Sequence, residues 1–313
     1  MLSTMTFDIH LKCSDEIVLP KFAPATIRGA FGIQLKRLVC VQKYRDQVCQ
    51  RCLLKSSCLY AYIFEGHKEE RSDNGGFYTA EPPHPFILDV PFNRNSIIFP
   101  RNALLKWSMS LFGGRIKEIL PYVVMTLERI GESGIGRTRG HYVLDSLVQV
   151  DIPKPRLLYH SSTKNLDMDF AVENLDIVPH FRNPVKEINI NMMTPLRIKQ
   201  GGEIAREISF DMIITNILRR FSILIQYYSK HQLNLEINPI IEAARDIKTI
   251  RQDIQWTDYA RFSGRKKQWI RLGGIIGKLS FGGELDPFIP WLYIGRKINV
   301  GKSTSFGFGK IDY

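Results

Sequence analysis

The apolar and polar positions of this chain alternate at first and then turn helical. Residues 5–13, MTFDIHLKC, repeat with a period of two, which predicts a strand. Pro20 and Pro24 punctuate a turn. From Ala25 to about Val41 the apolar positions Ile27, Phe31, Leu35 and Leu38 recur at helical spacing, with Arg28, Lys36 and Arg37 among them. PFILDV, 85–90, predicts a strand after a proline-rich turn, and residues 101–112 suggest a helix. Ile116 to Ile130 carries Leu120, Val123, Val124 and Leu127 on one helical face, with Gly131 as its expected end. HYVLDSLVQV, 141–150, predicts a strand. Residues 151–169 are proline-rich and polar, and the domain junction is expected there.

The second half repeats the plan. EININ, 187–191, predicts a strand that MMTPLRIK extends toward a second. Residues 203–229 form an amphipathic helical pattern through Phe210, Ile213, Ile214, Ile217, Phe221, Leu224 and Ile225. Each half then reaches a late glycine-rich segment, IGESGIGRTRG and VGKSTSFGFGK. Both set glycines two residues apart beside a basic residue, a weak internal repeat. The expectation is an α+β chain built by duplication, with domains at 1–155 and 156–313, each a small antiparallel sheet with helices against one side.

With 313 residues and 44% hydrophobic content the chain can bury a sizeable core, and 18 Phe and 12 Tyr argue against disorder. The 43 Lys and Arg against 31 Asp and Glu give a formal net charge of +12, which draws polyanions, nucleic acid first. The start, MLSTMTFDIHLKCS, lacks the basic and apolar regions of a signal peptide, and no run of 18 uncharged apolar residues offers a membrane span. A cytoplasmic protein without a membrane partner is expected, so disulfides are not the default for its five cysteines.

Cys40, Cys49, Cys52 and Cys58 fall within nineteen residues, and Cys49 and Cys52 frame a C-x2-C knuckle. Thiolates at this spacing can share one tetrahedral metal, which points to a closed structural site, zinc ahead of an iron–sulfur cluster, with buried free thiols as the alternative. From Arg251 to Lys278 the chain is strongly basic and aromatics interleave: Trp256, Tyr259, Phe262 and Trp269 lie among Arg261, Arg265, Lys266, Lys267 and Arg271. Cations would hold phosphates and rings could stack on bases. Most of the rings are expected in the core and most of the charges outside.

The segment INVGKSTSFGFGKIDY invites a nucleotide P-loop reading through Gly301, Lys302 and Ser303. The glycine that G-x-x-x-x-G-K-[ST] requires is Arg296 here, and the last residues, SFGFGKIDY, are too few and too glycine-rich for the helix. Flexible glycines and successive amides instead suit close approach to a phosphate chain, or a tight turn in a sheet. The seven histidines, 10, 67, 84, 141, 160, 180 and 231, are the natural general bases for RNA cleavage through the ribose 2′-OH, and none sits in a sharp local motif.

Taken in order, FAPATIRGAFG, VCQRCLLKSSCLYAYIFE, PPHPFILD, LPYVVMTLERIGESGIGRTRG, TPLRIKQGGEI, the helix through ILRRFSIL and residues 256–311 cover nearly the whole chain. This succession resembles the CRISPR-associated repeat-processing endoribonucleases of the repeat-associated mysterious protein superfamily. The resemblance implies two tandem ferredoxin-like, RRM-related domains with a C-terminal glycine-rich loop. It implies binding of the repeat in a CRISPR precursor RNA and one cut, without a catalytic metal, leaving a 2′,3′-cyclic phosphate. It places Gly301, Lys302, Ser303, Gly307 and Gly309 near RNA, with Arg28, Arg137, Arg139, Arg261, Arg265, Lys266 and Lys267 as further RNA-binding groups.

The catalytic carry-over is poor. Relatives with a histidine near the first helix have no counterpart here, since Leu11 to Gly66 contains none, and Asn299 stands where many relatives have histidine. His84 or His10 is therefore the expected base, Lys302 the cation opposing phosphate charge, and Tyr259 and Arg265 positioning groups. A second reading is a non-catalytic RNA-binding subunit, held among the other subunits of a CRISPR effector complex. A third is a basic protein-interaction module stabilised by a metal.

Overall fold

The computed structural model describes residues 1–42, 49–66, 82–93, 95–177, 184–231, 233, 235–263 and 267–313. The chain divides into two compact units. One is Leu2–Asn174 with Leu224–His231; the other is Leu175–Ile223 with Gln232–Tyr313 and Met1.

The N-terminal unit begins with β1 (Leu2–Cys13), β2 (Ile17–Leu19) and α1 (Ala23–Val39). After the cysteine-bearing turns come β3 (Phe86–Asp89), β4 (Ile97–Phe99), β5 (Leu104–Phe112), α2 (Ile116–Ser133), β6 (Tyr142–Gln149), β7 (Arg156–His160), β8 (Asn165–Leu166) and β9 (Glu173–Leu175). The main sheet runs β3-β5-β1-β6-β7-β8, its described pairings antiparallel, while β2 and β4 pair separately. Asn174 of β9 accepts a hydrogen bond from Ser3 at 3.0 Å. Alternation sets the two faces of β1. Met5, Phe7, Ile9 and Leu11 enter a core with Ile27, Phe31 and Leu35 of α1 and Ile119, Leu120, Val123 and Leu127 of α2. Thr6, Asp8, His10 and Lys12 therefore occupy the other face of the sheet.

Residues 101–112 are a strand for most of their length, not the expected helix. Leu105, Trp107, Met109 and Leu111 are buried at every second position, and β5 is paired on both edges, by β1 and β3. The period of two outweighs the length of the apolar run. α2 also continues through Gly131, which packs so closely on β6 that an added Cβ would lie 2.2 Å from the Tyr142 carbonyl oxygen. The helix ends at Gly134, whose φ of 74° is open to glycine.

The C-terminal unit contains β10 (Glu187–Leu196), the small pair β11 (Lys199–Gln200) and β12 (Glu203–Ile204), α3 (Phe210–Tyr228) up to Ile223, α4 (Ile237–Arg245), β13 (Lys248–Ser263), β14 (Gln268–Gly282), α5 (Ile289–Ile298) and β15 (Ile311–Asp312). Its sheet order is β13-β14-β10-β15, all antiparallel. Phe210 packs edge-on against Phe281 and Phe288, with centroids 5.2 and 5.1 Å away.

Both units carry the same β-α-β-β-α-β succession, β1-α1-β3-β5-α2-β6 and β10-α3-β13-β14-α5-β15. In each the four strands lie in the order fourth, first, third, second, which is the ferredoxin-like arrangement. The expected duplication is thus visible in topology. The two glycine-rich segments fall at one and the same place, between the last helix and the last strand of each repeat.

Candidate nucleic-acid interface

In the C-terminal unit the glycine-rich segment begins where α5 stops. Asn299 adopts φ 58° and is only 4% exposed, and its side-chain amide donates to the Phe308 carbonyl at 3.0 Å. The residue that stands in place of an expected histidine is a buried brace across the loop. The Val300, Lys302 and Gly309 amides donate to Gly309, Arg197 and Pro195 carbonyls at 2.8, 2.8 and 3.0 Å, and the Thr194 hydroxyl donates to Gly307 at 2.6 Å. A Cβ on Gly301 would lie 2.4 Å from the Arg197 oxygen, and one on Gly309 would lie 1.8 Å from the Val300 oxygen. These two glycines serve close approach of the protein's own backbone. Lys302 is exposed, Ser303 half-buried, and Phe306 and Phe308 are buried.

Basic side chains of the same unit cover those two rings. β13 and β14 form a long hairpin, and the Tyr259 ring meets Phe308 at 90° and 6.3 Å. The Arg261 guanidinium sits 5.1 Å from the Phe306 centroid, and that of Arg197 lies 5.8 Å from Phe308 while donating to the Gly273 carbonyl. Burial lowers the pKa of both arginines, and Asp258 partly offsets this at Arg197. A guanidinium stays charged through such a shift, so two cations are held over the loop. Arg206 lies 4.7 Å from the Trp256 centroid, and Trp256 donates to Asp258 at 3.0 Å. Of the four interleaved rings, Trp256 and Tyr259 are half-buried, whereas Phe262 and Trp269 are exposed, against the expectation of a mostly internal set. Lys267 is exposed at the hairpin turn; Arg265 and Lys266 lie outside the described residues.

The N-terminal unit holds the other predicted groups. Arg137 and Arg139 are exposed on a tongue that Gly136 and Gly140 press against the Val18 and Glu16 carbonyls, with Arg137 N–H donating to Val18 at 2.9 Å. Arg28 on α1 places Nη2 2.6 Å from Nε2 of His84. His84 Nδ1 lies 3.1 Å from the Ile63 carbonyl, which can only accept, so Nδ1 carries the proton and Nε2 takes the hydrogen bond from Arg28. The imidazole is packed between Phe64 and Phe86, each 5.7 Å away. To accept a proton, His84 would have to release Arg28.

His10 is set differently. Register places Lys106, His10, Ser146 and His160 side by side on β5, β1, β6 and β7, all on the sheet face away from the helices. His10 Nδ1 lies 3.0 Å from the Ser146 hydroxyl, which in turn lies 3.3 Å from an Asp145 carboxylate oxygen. Nε2 of His10 makes no hydrogen bond among the described residues. His160 Nδ1 accepts from the Ser162 amide at 3.1 Å, which leaves its proton on Nε2. The row therefore sets two imidazoles, a hydroxyl and a lysine side by side. Ser146, His160 and Lys106 were not singled out from the sequence; no local motif joins residues whose neighbourhood is made by strand register.

The remaining histidines contribute less. His141 is exposed and paired with Asp15 at 2.6 Å, which holds the Asp15 carboxyl below its ordinary range, and His231 is exposed; His67 and His180 lie outside the described residues. The cysteines form a short turn in which Cys52 N–H donates to Cys49 at 3.2 Å, and Cys40, Cys52 and Cys58 line one cavity of about 650 Å³ with Leu38, Val39 and Tyr122. Among the described residues no three His, Cys, Asp or Glu side chains are gathered to hold a metal, so the zinc cage anticipated from the spacing has no support in the geometry. No described helix is long and apolar enough to cross a membrane.

Two ferredoxin-like units, one with a basic hairpin over a glycine-rich loop and one with a histidine pair on its sheet, define a tandem RRM-related protein. Residues 190–311 match the family model of the CRISPR-associated endoribonuclease Cas6, and residues 2–169 match a family model described as an N-terminal domain. Residues 190–311 thus carry a domain of the Cas6 family of CRISPR-associated endoribonucleases. Solved structures share its fold. A Cas6 product complex has a TM-score of 0.57 at 12% identity over 99% of both chains. Thermus thermophilus Cas6 has 0.54 at 12% over 99% of this chain and 98% of that one. A partial Cas6-RT-Cas1–Cas2 complex has 0.55 at 12% over all of this chain and 46% of that one. No curated protein sequence matches the chain.

Proposed function

We propose that this endoribonuclease cuts CRISPR precursor RNA within the repeat by side-chain acid–base chemistry, leaving a 2′,3′-cyclic phosphate. The observation that carries this reading is the row Lys106–His10–Ser146–His160, with its hydrogen-bond chain ending at Asp145. Nε2 of His10 takes the proton of a ribose 2′-OH. The resulting oxygen attacks the adjacent phosphorus, the P–O5′ bond breaks, and His160, once Nδ1 has released the Ser162 amide and taken a proton, supplies its Nε2 proton to the leaving 5′ oxygen. Lys106 opposes the charge that builds on the phosphate. No water is consumed in this step, so the upstream fragment ends in the cyclic ester. His84 belongs to a different task, orienting Arg28 for a phosphate, while Lys302, Arg261, Lys267, Arg137 and Arg139 hold the rest of the strand. Tyr259 acts by supporting the loop through Phe308 rather than by touching the reacting atoms.

The test is cleavage of repeat RNA in EDTA by the wild type, His10→Ala and His160→Ala. A single cut with a cyclic phosphate is expected. Each variant should slow it by about 100-fold or more while RNA affinity is kept, the usual contribution of a general acid or base. Cleavage that stops in EDTA and returns with a divalent ion would overturn the reading. So would wild-type rates in both variants. Tight RNA binding with no cut at any time would leave an RNA-holding subunit.

A further inference from the structure

The tip of the β13–β14 hairpin carries an aromatic pair that the fold does not use. Phe262 and Trp269 are cross-strand partners with centroids 5.8 Å apart at 71°, yet they are 54% and 71% exposed. Paired strand residues share a face, and that face continues through Ala260 and Arg271, both exposed. The opposite face of the hairpin is already committed, since Tyr259 and Arg261 lie on Phe308 and Phe306 of the glycine-rich loop. Trp269 therefore presents a large ring to solvent, held by the edge-to-face contact with Phe262. Exposed Lys267 and Arg271 flank it in sequence, and the nearest acid on this face, Asp258, receives the Trp256 N–H.

An apolar ring platform with cations beside it is complementary to an unpaired nucleobase, whose flat face stacks while its phosphates meet the cations. We propose that Trp269, braced by Phe262, is a stacking site for one unpaired base of the bound RNA, with Lys267 and Arg271 on the adjoining phosphates. The inference rests on the RNA reading above, and it adds an aromatic stack on a base to the phosphate contacts assigned there.

The experiment uses the full chain and a single-stranded RNA oligonucleotide of the repeat sequence, 2′-O-methylated so that it cannot be cut. Affinity is measured at several salt concentrations for the wild type, Trp269→Ala, Trp269→Phe and Phe262→Ala. Trp269→Ala should weaken binding about tenfold, within the range of one base–aromatic stack, and Trp269→Phe should recover most of it. The dependence of affinity on salt should keep its slope, because stacking releases no counterions. An RNA with abasic sites should bind wild type and Trp269→Ala alike. Equal affinity of wild type and Trp269→Ala for the intact RNA would overturn the proposal. It would equally fail if the loss came with a shallower salt slope, or if Trp269→Ala altered the oligomeric mass, which would make the pair a contact between copies. These outcomes are independent of the cleavage test, because His10→Ala leaves the hairpin intact.

Discussion

The two glycine-rich segments occupy equivalent positions in the two repeats and have diverged in what they do. The N-terminal one, 131–140, is a thin tongue. Its glycines let the backbone press on the Val18 and Glu16 carbonyls, and it leaves Arg137 and Arg139 in solvent. The C-terminal one, 299–309, is a small core of its own, with Phe306 and Phe308 buried, Asn299 bracing it from within, and Arg197 and Arg261 lying across its rings. Similar glycine spacing therefore supports two surfaces, one presenting arginines at the end of a loop and one presenting them over aromatic faces. Glycine in both places answers a contact of protein with protein, so the charge that could meet RNA comes from neighbouring side chains.

The comparison can be broken most forcefully at the glycines. Gly309→Ala would push a Cβ to 1.8 Å from the Val300 oxygen at a φ of 73°, inside a buried loop. A loss of about 3 kcal/mol is expected by thermal or denaturant unfolding. Gly136→Ala, where the Cβ meets the Val18 oxygen at 2.5 Å on an exposed tongue, should cost visibly less. Equal losses would mean that the two segments are equally built into their folds. Next in size is Asn299→Ala, which leaves the Phe308 carbonyl without its buried donor. About 1–2 kcal/mol is expected, and Asn299→Asp, similar in shape but with no N–H to give, should do no better. An Asn299→Ala variant of wild-type stability that bound RNA poorly would instead put Asn299 on the ligand.

The smallest effects on stability belong to the exposed cations, and these separate the surfaces most sharply. Lys302→Ala, and the double change Arg137→Ala with Arg139→Ala, should each stay within about 0.5 kcal/mol of wild type. In RNA titrations across salt concentrations they should lower the slope by about one and about two units respectively. A slope unchanged in the double variant would remove the N-terminal tongue from the interface and leave the C-terminal loop alone in that role.

Much of the architecture was legible in the order of residues. Period-two alternation in 5–13 and helical spacing in 25–41 and 116–130 reappear as β1, α1 and α2, because a side chain's face follows directly from these periods. Repeated glycine spacing announced the duplication. The P-loop was rightly set aside from the absent upstream glycine. Residues 101–112 misled because an apolar run of that length fits either element, and only pairing on both edges made it a strand. The aromatics of 256–269 misled in another way. Composition put them in the core, but a hairpin has two faces, and only one of them packs on the loop.

By itself the sequence determined the class of the protein, its doubled α+β plan and its pull toward polyanions, since composition, periodicity and motif order are properties of the chain. It also identified His10 and His84 as candidates without ranking them. The tertiary structure gives them different hydrogen bonds: His84 spends both nitrogens on Arg28 and the Ile63 carbonyl, whereas His10 contacts Ser146 through Nδ1 alone among the described residues. It also set Lys106, Ser146 and His160 beside His10 from strands far apart in the chain. Register decides such neighbours, and register is settled by which faces the packed strands must bury.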